Sequence, residues 1–227
     1  MFRHIKKIFV ILFVSHLLYV VILRFILPPV TITEISSLIS GNGFKRNHVA
    51  YNEISKNAKL AVIAAEDQLF PDHNGFDIKS IQKALDFNKK KKGKKIRGAS
   101  TISQQVAKNV FLWQGRSWIR KGLEVYFTFL IELIWGKQRI LEVYLNEAEM
   151  GKGVFGIEAA ARKYFKKSAS KLTRTEAAMI AASLPNPKRY TVKPLSIYVG
   201  RKYPWVLRQM GNLDDDPDIT RLVNSGK

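Results

Sequence analysis

The sequence predicts a mainly α-helical fold, and three observations carry that prediction. Ile119, Leu123, Phe127, Leu130 and Ile134 recur at spacings of four and three, the period of one apolar helix face. Thr173-x-x-Glu176 is a capping box opening a run rich in Ala, Met, Ile and Leu that stops at Pro185-Asn186-Pro187. Little of the chain alternates polar and apolar residues as a half-buried strand would. With 227 residues and 46% hydrophobic content, there is enough chain for one core domain plus an appendage, and too much apolar content for disorder.

Taken in order, the first element is a membrane anchor. From Ile8 to Leu27 the chain is almost wholly apolar, broken only by Ser15, His16, Tyr19 and Arg24. Roughly 20 helical residues at about 1.5 Å each cover a hydrocarbon layer of about 30 Å. Arg3, Lys6 and Lys7 precede the run, which leaves the N-terminus in the cytoplasm and the remainder outside. A cleaved signal peptide would need a small-residue site before Pro28-Pro29, and none is present. The organisation that follows is a short cytoplasmic tail and anchor over 1–27, a linker or small juxtamembrane lobe over 28–50, a folded domain over 51–212 and a tail over 213–227. Within the domain, Lys59 to Ala65 is a short buried helix ending at Glu66-Asp67, and Ile140, Val143, Tyr144 and Ile157 to Tyr164 continue the helical pattern.

A formal net charge of +20 calls for anionic company, either nucleic acid, acidic lipid or a polyanionic substrate. Export removes nucleic acid as a partner. With no cysteine, thiol catalysis, disulfides and cysteine-ligated zinc are excluded. The lysine-rich run from Lys89 to Lys95 reads as a solvated loop able to lie against anionic headgroups.

The chemistry concentrates in three stretches. Glu66 stands after an apolar run near a helix C-terminus, where burial and the negative end of the dipole both raise a carboxyl pKa, as a general base requires. A carboxylate that merely tethers the next turn fits the same position. His73 suits a hydrogen-bonded orienter better than a metal ligand, because neither His48 nor His16 stands at ligand spacing. Thr101-x-x-Gln104 is a second capping box, whose helix start offers free N–H groups to an anion, with Lys108 one turn on. Arg116, Arg120 and Glu124 fall at successive i,i+4 positions, either a solvated ion-pair ladder or part of a site. Gly151-x-Gly153-x-x-Gly156 matches a dinucleotide fingerprint but follows a helical, acidic segment instead of a buried strand. Ser80-x-x-Lys83 and Ser168-x-x-Lys171 lack the Lys-Thr-Gly of a penicillin-binding site.

As a set, Glu66-Asp67-x-x-Phe70-x-x-His73-x-Gly75, Gly98-x-Ser100-Thr101-Ile102-Ser103-Gln104-Gln105, Arg120-Lys121-x-x-Glu124 and Ile140-Leu141-Glu142-Val143-Tyr144-Leu145-Asn146 resemble the peptidoglycan glycosyltransferases. The likeness runs from about Lys59 to Met210, and the type it matches is the monofunctional biosynthetic one, without a transpeptidase domain. It implies a lysozyme-like helical domain with a membrane-embedded jaw, polymerising lipid II at the outer face of the cytoplasmic (inner) membrane. It also implies Glu66 as the base that deprotonates the acceptor sugar hydroxyl and Glu124 as the second essential carboxylate. Phe70 would bind substrate, and Ser100, Gln104, Gln105, Lys108, Arg116, Arg120 and Lys121 would line the donor site, with Lys108 and Arg116 contacting pyrophosphate. Family members commonly use a divalent cation (Mg2+ or Mn2+), though no ligand set in this sequence establishes one. The implied partners are lipid II, the growing glycan strand, the membrane and other cell-wall synthesis proteins.

The residues support transfer over hydrolysis on separate grounds. Cutting a sugar–sugar bond needs a carboxylic acid to protonate a poor leaving group. Pyrophosphate leaves already charged, so cations on the departing oxygens are the useful groups. A lysozyme-like hydrolase or lytic transglycosylase is the alternative enzyme, and a membrane-anchored basic scaffold the non-enzymatic one.

Overall fold

The computed structural model describes residues 2–91, 98–115 and 117–225. Among them are eleven α-helices and one three-stranded sheet with strands of two or three residues. The fold is mainly α, as expected; strands so short carry no alternation for a sequence reading to find.

α1 (Phe2–Ile22) leaves the Ile8, Phe9, Ile11 and Leu12 side chains exposed. Over Arg3–Ile22 it is long and apolar enough to cross a membrane. Its last turns dock on the protein: Val20 is buried, His16 Nε2 lies 2.6 Å from the Tyr126 hydroxyl, and the Trp135 indole N–H donates to the Val20 carbonyl at 2.8 Å. The helix ends at Ile22, short of the Leu27 expected from hydropathy. Beyond it, the Arg24 and Phe25 N–H groups reach back three residues, and Arg139 takes the Leu23 carbonyl through Nε–H at 3.1 Å and Nη2–H at 2.9 Å. A tertiary donor on the end carbonyls competes with another helical turn.

The juxtamembrane segment holds structure of its own. α2 (Ile32–Ile39) starts at a Thr31–Glu34 capping box. β1 (Lys45–Arg46) pairs in parallel with β3 (Val154–Phe155), Lys45 opposite Val154, and β2 (Glu149–Gly151) lies antiparallel on the other edge of β3. Of the glycines resembling a dinucleotide loop, Gly151 and Gly153 belong to the β2–β3 hairpin and Gly156 caps the helix that follows it. Gly153 has φ +64°, and a Cβ there would stand 2.1 Å from the Asn42 carbonyl oxygen, so close backbone approach explains that glycine.

α3 (Lys56–Glu66) is the central helix, capped by Ser55 and buried from Ala58 to Ala64. It packs against α9 (Arg174–Ser183), α10 (Ile197–Leu213) and α11 (Pro217–Asn224). The expected C-terminal tail is thus partly built in. Ile219, Leu222 and Val223 sit at spacings of three and one on one buried face of α11, and the Tyr51 hydroxyl donates to the Leu222 carbonyl at 2.8 Å. A second group places α5 (Ile102–Phe111) against α6 (Trp118–Ile134) and α7 (Lys137–Glu147). α4 (Ile78–Lys90) takes in the first lysines of the basic run, of which Lys92, Lys94 and Lys95 lie outside the described residues. α8 (Ile157–Phe165) follows the hairpin.

Candidate active site

Glu66 is the last residue of α3, where the buried helix delivers it to the floor of a cleft of ≈ 910 Å³ shared with the start of α5 and one face of α10. The Gln105 side-chain N–H donates to Glu66 Oε2 at 2.6 Å, and the Tyr144 hydroxyl donates to Gln105 Oε1 at 3.3 Å, fixing which end of the amide faces the carboxylate. Burial pushes the Glu66 carboxyl above its ordinary value, opposed by the Gln105 hydrogen bond and the Lys202 charge. The expected raised carboxyl is therefore present.

Asp67 has a different task. Its carboxylate accepts the Ile102 backbone N–H at 2.9 Å and the His73 Nε2–H at 2.9 Å, so it stitches the end of α3 to the start of α5. His73 Nδ1 accepts the Gly75 N–H at 3.1 Å, which sets the tautomer and makes His73 the orienter anticipated from sequence. Gly75 lies at φ +86°, and a Cβ would come within 2.7 Å of Thr128 Cγ2, so this turn needs glycine to pack on α6.

Two expected substrate residues are occupied elsewhere. Phe70 is wholly buried, edge-on to His73 and 4.6 Å beneath the Lys137 ammonium, so it holds the turn and presents no surface to a ligand. Lys137 secures the same turn by donating to the His73 carbonyl. Gln104 is buried and closes the capping box, accepting the Thr101 N–H at 3.1 Å while Thr101 Oγ1 accepts the Gln104 N–H. With the Ile102 N–H on Asp67 as well, the start of α5 is not the open anion site the sequence suggested. Ser100 does line the cleft, as does Gln105.

The cations gather around Glu124. Arg120 Nη1–H donates to Glu124 Oε2 at 2.8 Å and Lys121 Nζ–H to Oε1 at 2.5 Å, and the Glu124 carboxylate is buried. Burial pulls the Lys108 ammonium below its ordinary value, offset by the charges of Glu124 and then Glu66. Lys108 therefore feels both carboxylates. Three cations against two carboxylates leave a positive excess, suited to an anion. Arg120 Nε is the one buried side-chain polar atom among the described residues without a hydrogen-bond partner, an arrangement more expected of a site than of a scaffold. Arg116 lies outside the described residues. α6 begins at Trp118 after the Ser117 cap.

α6 corrects the amphipathic reading more broadly. Trp118 is 92% and Ile119 76% exposed, and Leu123 is also exposed, whereas Glu124 and Thr128 are buried. Only the later apolar residues pack inward, Phe127 stacking on Phe111 at 4.6 Å and Leu130 entering the core. Arg120 and Glu124 turn in because their partners are there, and the apolar residues of the first two turns are left outside, so this ion pair is not a solvated one.

The sequence reading missed Tyr144, and with it Tyr198, Lys202, Trp205 and Gln209 on the α10 wall of the cleft. Their spacings of four, three and four mark one helix face, the only local signal that could have pointed to them. Among the described residues no group of three or more His, Asp or Glu side chains is placed to hold a metal ion.

A family profile described as Transglycosylase matches residues 32–211. The chain is 50% identical over 218 residues to a biosynthetic peptidoglycan transglycosylase of Shewanella oneidensis, covering 94% of this chain and 93% of that protein. It is 57% identical over 187 residues to one of Escherichia coli, covering 81% and 77%. A third, from Xanthomonas campestris pv. campestris, is 50% identical over 206 residues, covering 88% and 83%.

Proposed function

The chain belongs to the transglycosylase family, and from that premise we propose that it is a peptidoglycan glycosyltransferase polymerising lipid II into glycan chains, with Glu66 as base and the Lys108, Arg120 and Lys121 group as the pyrophosphate site. The observation that carries the reading is that Lys108 feels the charge of both Glu66, whose carboxyl burial raises, and the buried Glu124, which itself holds Arg120 and Lys121.

Glu66 takes the proton of the acceptor sugar hydroxyl. The freed oxygen attacks the anomeric carbon of the donor sugar from the face opposite the leaving group. As that bond forms, the carbon–oxygen bond to undecaprenyl pyrophosphate breaks, its electron pair stays on the pyrophosphate, and the centre inverts. A raised pKa makes Glu66 a stronger base than an ordinary carboxylate, while Gln105 holds its Oε2 in place. Lys108, Arg120 and Lys121 stabilise charge growing on the departing oxygens. Glu124 takes no proton in this scheme; it holds Arg120 and Lys121 in register.

α1 supplies a single-pass anchor, and the exposed apolar edges of α2 and α6 lie in the adjoining lipid, with the N-terminus cytoplasmic, the domain outside and the cytoplasmic membrane as host. The test is consumption of lipid II by the purified full-length chain in detergent, read as glycan chains with release of undecaprenyl pyrophosphate. Cleavage of preformed glycan with no lipid II turnover would instead point to a hydrolase.

A further inference from the structure

Parts of the chain on which the active site depends meet at one oxygen away from the cleft. Glu132 Oε1, on α6, accepts the Ser103 Oγ–H of α5 at 2.5 Å and an Nζ–H of Lys137, the first residue of α7, at 2.7 Å. The same ammonium donates to the carbonyl of His73, in the turn that follows Glu66. Ser103 is wholly buried and the Glu132 side chain is only 9% exposed, and neither lines the cleft. The chemistry above makes no use of this carboxylate.

The seam around it is packed without slack. A Cβ on Gly75 would stand 2.7 Å from Thr128 Cγ2 and 3.0 Å from Glu132 Cγ, so the turn rests directly on two residues of α6. The Thr101 hydroxyl donates to the Gly75 carbonyl at 2.7 Å, tying the same turn to the start of α5. Glu124, Thr128 and Glu132 recur every four residues, so the side of α6 that meets the turn is the side that carries Glu124. The Thr128 hydroxyl also donates to the Glu124 carbonyl at 2.6 Å. Eight helical residues, about 12 Å of a stiff rod, separate Glu132 from Glu124, so a displacement at one reaches the other.

We propose that Glu132 is a positioning residue for the transfer reaction: by joining Ser103, Lys137 and the His73 turn, it sets where α6, with Glu124 and its cations, stands relative to Glu66 and Gln105. This role rests on the transferase reading of Glu66. Burial raises the Glu66 carboxyl, and α5 supplies two of the interactions that oppose the rise, the Gln105 hydrogen bond and the Lys108 charge. Lys202 of α10 opposes it as well, and Asp67 adds to it. Releasing α5 at Ser103 weakens the two α5 contributions, so Glu66 should then give up its proton only at higher pH. A carboxylate that merely stabilised the fold would change how much active enzyme there is, and not the pH at which that enzyme works.

The test uses the full-length chain in detergent with Glu132→Leu, Glu132→Gln and Ser103→Ala, reading kcat and KM for lipid II, the pH dependence of kcat and the melting temperature. Leucine removes both acceptor bonds. Glutamine keeps an acceptor oxygen for Ser103 and Lys137 and loses the charge, and Ser103→Ala cuts the α5 link alone. Glu132→Leu should lower kcat at least about tenfold, leave KM within about twofold of wild type and move the acid limb of the pH profile upward. Ser103→Ala should move that limb the same way by less, and Glu132→Gln should recover most of the rate. An acid limb at the wild-type pH in both Glu132→Leu and Ser103→Ala overturns the positioning role, whatever their melting temperatures, as does a wild-type kcat in both. Should Glu132→Leu not fold, the limb of Ser103→Ala decides by itself. If the wild type does not polymerise lipid II, the transferase reading falls and the positioning role with it, a result distinct from any shift among the variants.

Discussion

Glu66 combines two properties that a residue-scale experiment can separate. Glu66→Gln keeps the size and hydrogen-bonding reach but cannot accept a proton, so lipid II should still bind while turnover falls by at least about 100-fold. The wild-type rate should climb with pH through the raised Glu66 pKa, and the variant should lose that limb. Stability should move the other way. A carboxyl whose folded pKa lies above its unfolded one contributes most below the unfolded value, and that contribution is lost as pH rises through the folded value. Glu66→Gln should therefore melt higher than wild type at pH 7, with the gap closing toward pH 4. An equal or lower melting temperature at pH 7 would mean that burial does not penalise this carboxylate. For Lys108→Ala, loss of one donor to the developing charge should slow turnover about 100- to 1,000-fold with a folded protein; a rate near wild type would remove Lys108 from the pyrophosphate site.

At the scale of elements, α1 and α6 are held in ways their own sequences do not announce. Besides Leu23, Arg139 takes the Ile26 carbonyl at 2.5 Å and pairs with Glu142 at 2.6 Å, while Arg46 donates to the Pro29 carbonyl at 2.5 Å and to Glu34 at 2.8 Å. The segment that follows α1 is thus clamped to the domain by two guanidinium groups. Arg139→Ala should free the Leu23 to Val30 segment, seen as faster protease nicking there in detergent, with slower lipid II turnover in vesicles than in micelles relative to wild type. Nicking at the wild-type rate would leave the clamp without a role. On α6, Trp118 and Ile119 are the most exposed of its apolar residues. Replacing both by Ser in a chain lacking residues 1–15, which keeps the docked Val20 and Leu23, should lower vesicle binding while leaving the fold intact, because an exposed apolar edge associates with lipid through buried area. Unaltered vesicle binding would assign membrane contact to other surfaces.

For the whole molecule, orientation joins these parts. In the orientation proposed from the basic N-terminal flank the domain lies outside the cytoplasmic membrane, and protease added to spheroplasts should then digest it. Survival of the intact domain beside a digested periplasmic control would reverse the topology. The site itself is a long-range assembly: Glu66 and Gln105 are 39 residues apart, and α10 reaches the same cleft from Tyr198 onward.

The sequence by itself determined what depends on neighbours along the chain. Helical period, the capping boxes at Thr101 and Thr173, the apolar run that ends at Glu66 and the His73 turn were all legible, because each is decided within a few residues. Tertiary structure decided which side of each element faces what. Phe70 and Gln104 look like ligand groups in a motif but are consumed by packing and capping. The first turns of α6 leave Trp118, Ile119 and Leu123 outside and carry Arg120 and Glu124 inward, where the charge of Lys108 from α5 joins theirs. The α10 wall and the burial of α11 were hidden for the same reason: periodicity tells that a helix has two faces, and only the partners that arrive from elsewhere in the chain settle which is buried.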